Sequence, residues 1–226
     1  MNPEPQKNCP LCPRLVAYRD ENKRAQPTWF NGPAPSFGPE TARLLVAGLA
    51  PGRTGANRTG RPFTGDYAGD LLYGTLKKYG FARGEYRADP NDGFQLVDAM
   101  VSNAVRCAPP ENKPTPAEIA TCRPFLMARI GALPKLQVIV ALGSIAHESV
   151  LRAHDLKPSA AKFAHAAEAA LQVGQREAHP RQRLGAQPGN APEIDPVDGV
   201  GMRRIDCRRT RHIGGHNMNV LAAQPP

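Results

Sequence analysis

The sequence has no apolar run of the length that a membrane-spanning helix needs, and its first residues, MNPEPQKNCPLCPR, lack the hydrophobic core of a secretory signal. These absences argue against a membrane protein and against secretion, so we expect a cytoplasmic protein. A disulfide framework is not expected in that reducing compartment. The five cysteines are therefore candidates for metal binding, catalysis or plain burial.

Two residue classes are missing from the last part of the chain. After Phe163 the sequence contains no aromatic residue and no Lys, while Arg, Pro, Gly and Gln accumulate. Such a segment buries little apolar surface to offset the entropy lost on ordering. We therefore predict a folded domain over residues 1–165 and an atypical, poorly ordered tail over residues 166–226.

Acidic residues are scarce relative to basic ones. The chain has 20 Asp and Glu against 29 Lys and Arg, which gives a formal net charge of +9. This excess suits a polyanionic partner such as nucleic acid, although a solvated basic surface would give the same count. The length of 226 residues and the 41% apolar content fit one ordinary globular domain.

Apolar runs and helical periodicities alternate along the first 143 residues. The pattern predicts strands over residues 42–50, 98–107 and 136–143, and helices over residues 69–81 and 115–133. The second helix begins with a capping Thr and has Glu in its first turn. Strands that alternate with helices indicate an α/β fold with a parallel sheet covered on both faces.

Four cysteines form the first pattern that carries chemistry. Cys9 and Cys12 make a CxxC motif, and Cys107 and Cys122 follow far downstream. Four thiolates can bind a zinc ion or an iron–sulfur cluster, which would pin the N-terminus to the sheet and the following helix. Alternatively, Cys107 and Cys122 are buried core thiols. Cys207 lies in the tail and is interpreted as a spare thiol.

The second pattern is the long loop after the first strand, GLAPGRTGANRTGRPFTGDYAG over residues 48–69. Its glycines let backbone approach a ligand, and Arg53, Arg58 and Arg61 would place positive charge near phosphates. No Gly-Lys-Ser/Thr follows, so it is not a nucleotide P-loop. A flexible surface connection is the alternative. In an open α/β sheet, ligands bind beyond the carboxyl ends of the strands, which is where this loop is expected to lie.

These motifs together carry a resemblance to a known family. GLAPG, NRTGRPFTGD, NAVRCAPPENKPTP and the four cysteines, over about residues 9–163, resemble the type-5 uracil-DNA glycosylases. The related type-4 enzymes have Glu in their first motif where this chain has Leu49. The resemblance implies a three-layer αβα fold around a four-stranded parallel sheet. It also implies a 4Fe-4S cluster on Cys9, Cys12, Cys107 and Cys122.

The implied activity is hydrolysis of the N-glycosidic bond of uracil, and of other deaminated bases, in DNA by a monomeric enzyme. Phe63 matches the ring on which the flipped base stacks, although a buried structural Phe is the alternative. Asp66 would orient the attacking water or stabilise the oxocarbenium charge. It could equally cap the helix that begins near Tyr67, and both roles can coexist.

The remaining site residues follow from the same resemblance. Asn103 matches a base-reading Asn, because an amide offers a donor and an acceptor together. Asn112 matches a second active-site Asn, and either Asn could instead hold a turn. The backbone of Gly48, Ala50 and Gly52 in the first motif is expected to approach the substrate.

One part of the family pattern is not found in this sequence. The family continues with a Ser-Tyr-His loop and an Arg-Gln-Asn run, and the segment around His179 is only a faint echo of it. We hypothesise a change of reading frame near residue 165. Besides an active glycosylase, the sequence leaves two other functions open. One is an inactive relative that keeps the cluster and DNA binding, and the other is an iron–sulfur protein with a redox role.

Overall fold

The computed structural model describes residues 2–171 and 218–223. These residues belong to one of two units of the chain, which comprises residues 1–173 and 217–226; the other unit, residues 174–216, lies outside the description. The helices are α1 (Pro13–Ala25), α2 (Ala56–Thr59), α3 (Tyr67–Lys78), α4 (Pro116–Gly131) and α5 (Ser144–Ala153). The strands are β1 (Leu44–Gly48), β2 (Ala82–Arg83), β3 (Gln95–Leu96), β4 (Ala99–Asn103), β5 (Val138–Leu142), β6 (Glu168–Leu171) and β7 (Met218–Ala223).

The main sheet has the strand order β4-β1-β5-β7-β6. Strands β4 and β5 both run parallel to β1, with Leu44 beside Ala99 on one side and Val138 on the other. The three predicted strands and the α/β fold with a parallel sheet are therefore confirmed. The short strands β2 and β3 form a separate antiparallel pair.

The expected number of parallel strands was wrong. Three strands of the main sheet are parallel, not four, because the strand beside β5 is β7, which runs antiparallel to it. A parallel neighbour needs a crossover connection that returns the chain to the same end of the sheet, whereas an antiparallel edge strand enters from the opposite end. Strand β6 pairs with β7 in parallel.

Helices cover both faces of the three parallel strands. On one face Leu45 and Ile139 pack in a core with Leu126 of α4 and Val150 of α5. On the other face the adjacent Val46 packs in a core with Tyr73 of α3. Neighbouring residues of β1 thus point to opposite faces, as strand geometry requires. Each fully buried aliphatic side chain contributes about 1.5–3 kcal/mol to stability.

Helix α4 begins as the sequence predicts. The Thr115 hydroxyl accepts the Glu118 backbone N–H at 3.2 Å, and the Glu118 carboxylate accepts the Thr115 backbone N–H at 2.8 Å. This reciprocal capping box satisfies two backbone donors at the helix N-terminus. The same carboxylate accepts two hydrogen bonds from Arg14, at 2.8 and 2.7 Å, which links α1 to α4.

The segment before α1 is fixed by one acidic residue. The Glu4 carboxylate accepts hydrogen bonds from Arg106 at 3.0 Å and from Arg129 at 2.6 Å. Both guanidinium groups are nearly fully buried. A buried charge without a partner costs several kcal/mol. The Glu4 carboxylate therefore stabilises both buried guanidinium groups by pairing with each of them.

Strands β6 and β7 lie within the predicted tail. Residues 172–217 and 224–226 of that tail, including His179 and Cys207, lie outside the described residues, so the boundary at residue 165 and the frame change stay predictions. Within the part of the chain that the structure describes, no helix has both the length and the apolar character needed to cross a membrane.

Candidate active site

The carboxyl ends of β1 and β4 bring three predicted site residues together. Gly48 and Asn103 are register partners at the ends of the two strands. A β-carbon at Gly48 would lie 2.4 Å from Phe63 Cζ and 2.5 Å from Asn103 Oδ1. Only glycine leaves room for this close approach, so the ring and the amide meet over the backbone of β1.

The backbone of Phe63 has an unusual conformation. Its φ angle is +52°, in the left-handed region that aromatic residues rarely adopt. The Tyr86 hydroxyl donates to its carbonyl oxygen at 3.2 Å. That oxygen would lie 1.7 Å from a β-carbon at position 69, which explains the glycine there. The surroundings therefore fix the main chain that carries the ring.

Asn103 presents a buried acceptor. The residue is 2% exposed, and its Oδ1 atom has no hydrogen-bond partner among the described residues. A buried polar atom without a partner costs about 1–3 kcal/mol, which a ligand donor can recover. The oxygen lies beside the Phe63 ring and is therefore placed to accept from a planar ligand that stacks there.

Asp66 is the N-cap residue of α3, so the capping role is confirmed. Its carboxylate accepts the Gly69 backbone N–H at 2.9 Å. Burial raises its pKa, the Gly69 hydrogen bond opposes that rise, and nearby Asp70 adds to it. The second carboxylate oxygen would lie 2.7 Å from a β-carbon at Gly55 and 3.8 Å from one at Gly52. The carboxylate thus lies against the backbone of two glycines in the loop that follows β1.

The hydrogen bonds between β1 and β4 continue past the ends of these strands, through the first motif. The Ala104 N–H donates to the Gly48 carbonyl at 2.8 Å, and the Val105 N–H donates to the Leu49 carbonyl at 2.9 Å. Ala50 is partly buried against the apolar core beside the cysteines. The main chain after β1 therefore keeps a fixed path toward Gly52.

Asn112 lies in the connection between β4 and α4. It is exposed in a short 3-10 turn, Pro110–Asn112, and has a φ angle of +56°. Within the described residues its side chain makes no hydrogen bond to Asp66 or Asn103. The turn interpretation is confirmed for Asn112, and its catalytic role stays a prediction.

The three arginines of the loop have different environments. Arg61 is 5% exposed and pairs with Asp92, so the expectation that it lies near phosphates was wrong. Arg53 and Arg58 are exposed. Arg53 lies 5.3 Å from the Trp29 ring and donates to the Asn22 side chain at 2.6 Å. No periodicity of the sequence indicates the Arg61 pairing, because Asp92 lies in a turn 31 residues away.

The four predicted metal ligands line one cavity, together with apolar side chains of α1 and α4. The Arg106 backbone N–H donates to Cys122 Sγ at 3.3 Å. Burial raises the pKa of Cys107 to about 12 and that of Cys122 to about 11, and it also raises the pKa of Cys12. Neutral thiols are thus favoured unless a metal stabilises the thiolates.

The donor atoms bear on the kind of metal that these cysteines could bind. Within residues 2–171 and 218–223, no group of three or more His, Cys, Asp or Glu side chains closes around a single metal ion. Thiolates on one zinc ion lie about 3.8 Å apart, given zinc–sulfur bonds of about 2.3 Å. In a 4Fe-4S cluster each thiolate binds a different iron, which requires wider spacing. Four cysteines are the donor set of a 4Fe-4S cluster and also of a structural zinc ion.

Similarity to known proteins identifies the family of this chain. The model of the uracil DNA glycosylase superfamily matches residues 35–192, which is well over half of the chain. The chain belongs to the uracil-DNA glycosylase superfamily. The match runs past the change in composition after Phe163. It also includes the ends of β1 and β4 and the loop that carries Phe63 and Asp66.

Several curated relatives within the superfamily are type-5 uracil-DNA glycosylases. The chain is 46% identical over 172 residues to the type-5 uracil-DNA glycosylase of Thermus thermophilus, covering 74% of this chain and 78% of the relative. It is 43% identical over 180 residues to that of Mycobacterium leprae, with 74% and 77% covered. It is 38% identical over 162 residues to that of Pyrobaculum aerophilum, with 70% of each covered. The resemblance to the type-5 branch is confirmed.

Proposed function

We propose that this chain excises uracil from DNA by hydrolysing the N-glycosidic bond. The observation that carries the proposal is the partnerless, buried Asn103 Oδ1 beside the Phe63 ring, in a member of this superfamily. A glycosylase must flip the base out of the duplex, and the base then needs a ring to stack on and a polar group to read its edge.

The Asn103 amide supplies the selectivity in this proposal. The ring N3 of uracil carries a hydrogen and donates to an acceptor, whereas N3 of cytosine carries a lone pair. An acceptor with no other partner therefore favours uracil and repels cytosine. Leaving this buried acceptor without a donor costs about 1–3 kcal/mol, which sets the scale of the discrimination between the two bases.

Asp66 supplies the charge that the reaction needs. As the bond from the sugar C1′ to the base nitrogen breaks, the electron pair leaves with uracil and positive charge builds on the sugar. The Asp66 carboxylate stabilises that charge or orients the water whose oxygen bonds to C1′. Its cap bond to Gly69 fixes the carboxylate, and the adjacent glycines leave room for the substrate. We assign Asn112 a second role at this site, through contact made when DNA is bound.

We further propose that Cys9, Cys12, Cys107 and Cys122 hold a 4Fe-4S cluster that serves as a structural clasp. Their common cavity joins the N-terminal segment to the residues after β4 and to α4. The cluster has no part in bond cleavage. DNA is the partner, and exposed Arg53 and Arg58 supply positive charge near its phosphates.

The test is release of free uracil from a labelled duplex that contains one uracil opposite guanine. We expect release by the native chain and loss of release by Asp66→Ala. A duplex with cytosine at the same position should remain intact. Salt-sensitive DNA binding without release would overturn the proposal and indicate the inactive relative, for which the comparisons give no support. Reversible reduction of the cluster without release would indicate a redox role.

A further inference from the structure

The ion pair between Arg61 and Asp92 is the most completely buried pair that the described residues form. Arg61 donates from both terminal nitrogens to the two carboxylate oxygens, at 2.9 and 2.8 Å, and the side chains are 5% and 0% exposed. The Arg61 Nε donates to Thr64 Oγ1 at 2.7 Å. This burial keeps the guanidinium group away from DNA.

The pair joins two loops beside the candidate active site. Besides Arg61, the Asp92 carboxylate accepts the backbone N–H groups of Arg87 at 3.0 Å and Phe94 at 2.9 Å. The same loop carries Tyr86, whose ring lies 5.4 Å from the Arg61 guanidinium carbon. Asp92 therefore fixes Tyr86 and Arg61 relative to each other.

Two tyrosines beside Arg61 form hydrogen bonds to the main chain around Phe63. The Tyr86 hydroxyl donates to the Phe63 carbonyl, and the Tyr73 hydroxyl donates to the Pro62 carbonyl. The Tyr73 ring also lies 5.7 Å from the Arg61 guanidinium carbon. A left-handed aromatic residue persists only where its surroundings over-determine its conformation. The hydrogen bonds and rings around Arg61 provide that constraint.

We propose that Arg61 and Asp92 are positioning residues for base excision. They hold Phe63 in its left-handed conformation, so that its ring lies over Gly48 beside Asn103. This inference rests on the proposed function, because the ring matters only if a base stacks on it. Neither residue touches the base.

The test uses Asp92→Asn with enzyme in excess over a duplex that contains uracil opposite guanine. We expect the single-turnover rate constant to fall on the order of tenfold to hundredfold, because a small displacement of a positioning group is enough for such a loss. The dissociation constant for DNA should change less than about twofold, since the pair is buried. While folded enzyme stays in saturating excess over DNA, a merely smaller folded fraction would leave this rate constant unchanged.

Asp98→Asn is the matched control. Asp98 also pairs with an arginine, accepting from Arg43 Nε at 2.6 Å, and it immediately precedes β4, at the amino end of the sheet. Its variant should keep the native rate. If Asp92→Asn does not fold, Arg61→Lys takes its place, since lysine keeps the charge but lacks the planar fork that makes two hydrogen bonds.

The double variant decides whether the effect passes through Phe63. In a Phe63→Leu background, Asp92→Asn should add less than about a twofold further loss, because coupled residues are not additive. Two independent, multiplying losses would overturn the inference, as would an Asp92→Asn rate equal to that of Asp98→Asn. No uracil release by the native chain would instead refute the proposed function itself.

Discussion

Phe63 and Asn103 lie together over the α-carbon of Gly48, so that a β-carbon there would be 2.4 Å from one and 2.5 Å from the other. The end of β1 therefore brings an aromatic ring and an amide oxygen together by carrying no side chain between them.

Gly48→Ala should separate these two groups. The added methyl cannot fit without moving the ring or the amide, so we expect the rate of uracil release to fall on the order of a hundredfold. Gly74→Ala is the control, because a β-carbon at that helical position meets no atom within 4 Å. It should keep the rate and raise stability slightly. A fully active Gly48→Ala enzyme would show that uracil release does not require the close approach of the Phe63 ring and the Asn103 amide to this position.

Asp66→Asn should separate capping from catalysis. Asparagine caps a helix about as well as aspartate, so the helix should persist while uracil release falls to a residual rate. Burial raises the pKa of Asp66, so the ionised carboxylate destabilises the folded state. This destabilisation is complete above the folded-state pKa and absent below the unfolded-state pKa. The variant should therefore unfold at a higher temperature than the native chain at pH 7 and at the same temperature in strong acid.

The activity of the native chain should reflect the same raised pKa. Release needs ionised Asp66, so its rate should fall with decreasing pH at a midpoint above the ordinary value for Asp, which is about 3.9. Residual release by Asp66→Asn should lack this acid limb. An acid limb that survives in the variant would assign the titration to another group.

Two variants, Asn112→Gly and Asn112→Ala, should show whether Asn112 acts through its side-chain amide or only through its backbone conformation. The residue has a φ angle of +56°, which glycine adopts freely and alanine does not. If the amide acts on the substrate, both variants should lose uracil release by at least about tenfold. Full activity of Asn112→Gly with reduced stability of Asn112→Ala would leave only the turn role.

The buried Asp92 should make stability depend on acid pH. Its hydrogen bonds from Arg61 hold the Asp92 pKa well below its usual range. This stabilisation is complete above the unfolded-state pKa, near 3.9, and is lost as the pH falls through the folded-state value. At pH 7, Asp92→Asn should lower the free energy of unfolding by about 2–3 kcal/mol. Urea titrations should show a smaller difference at about pH 2–3, and a constant difference would contradict this assignment.

Cys122→Ser should remove the metal that we assign to the four cysteines. The native chain should contain about four iron and four sulfide per chain and absorb visible light. Cys207→Ser is the matched control, since Cys207 is not in the proposed ligand set. Zinc in place of iron, or iron retained by Cys122→Ser, would refute the assignment.

The sequence predicted the elements that local patterns determine. The apolar runs at β1, β4 and β5 and the capping residue Thr115 all lie where the pattern places them. The capping alternative for Asp66 has the same local basis. These features depend only on neighbours in the chain, so they can be predicted without a structure.

Features that depend on distant partners could not be predicted. Arg61 was assigned to phosphates because its charge sits in a Gly-rich loop, yet its partner Asp92 lies 31 positions away. Helix α1 is polar along most of its length and buries Leu15 as its one large aliphatic side chain, so it shows no apolar stripe. The antiparallel β7 comes from a segment whose composition suggested no strand at all.

The contact between Arg53 and Trp29 gives the protein an intrinsic optical reporter. Trp29 is the single tryptophan of the chain, and its ring lies beneath a guanidinium group of the loop that follows β1. A phosphate that draws Arg53 away from the indole changes the surroundings of that one fluorophore. DNA engagement by this loop can therefore be followed through emission intensity, without any attached dye.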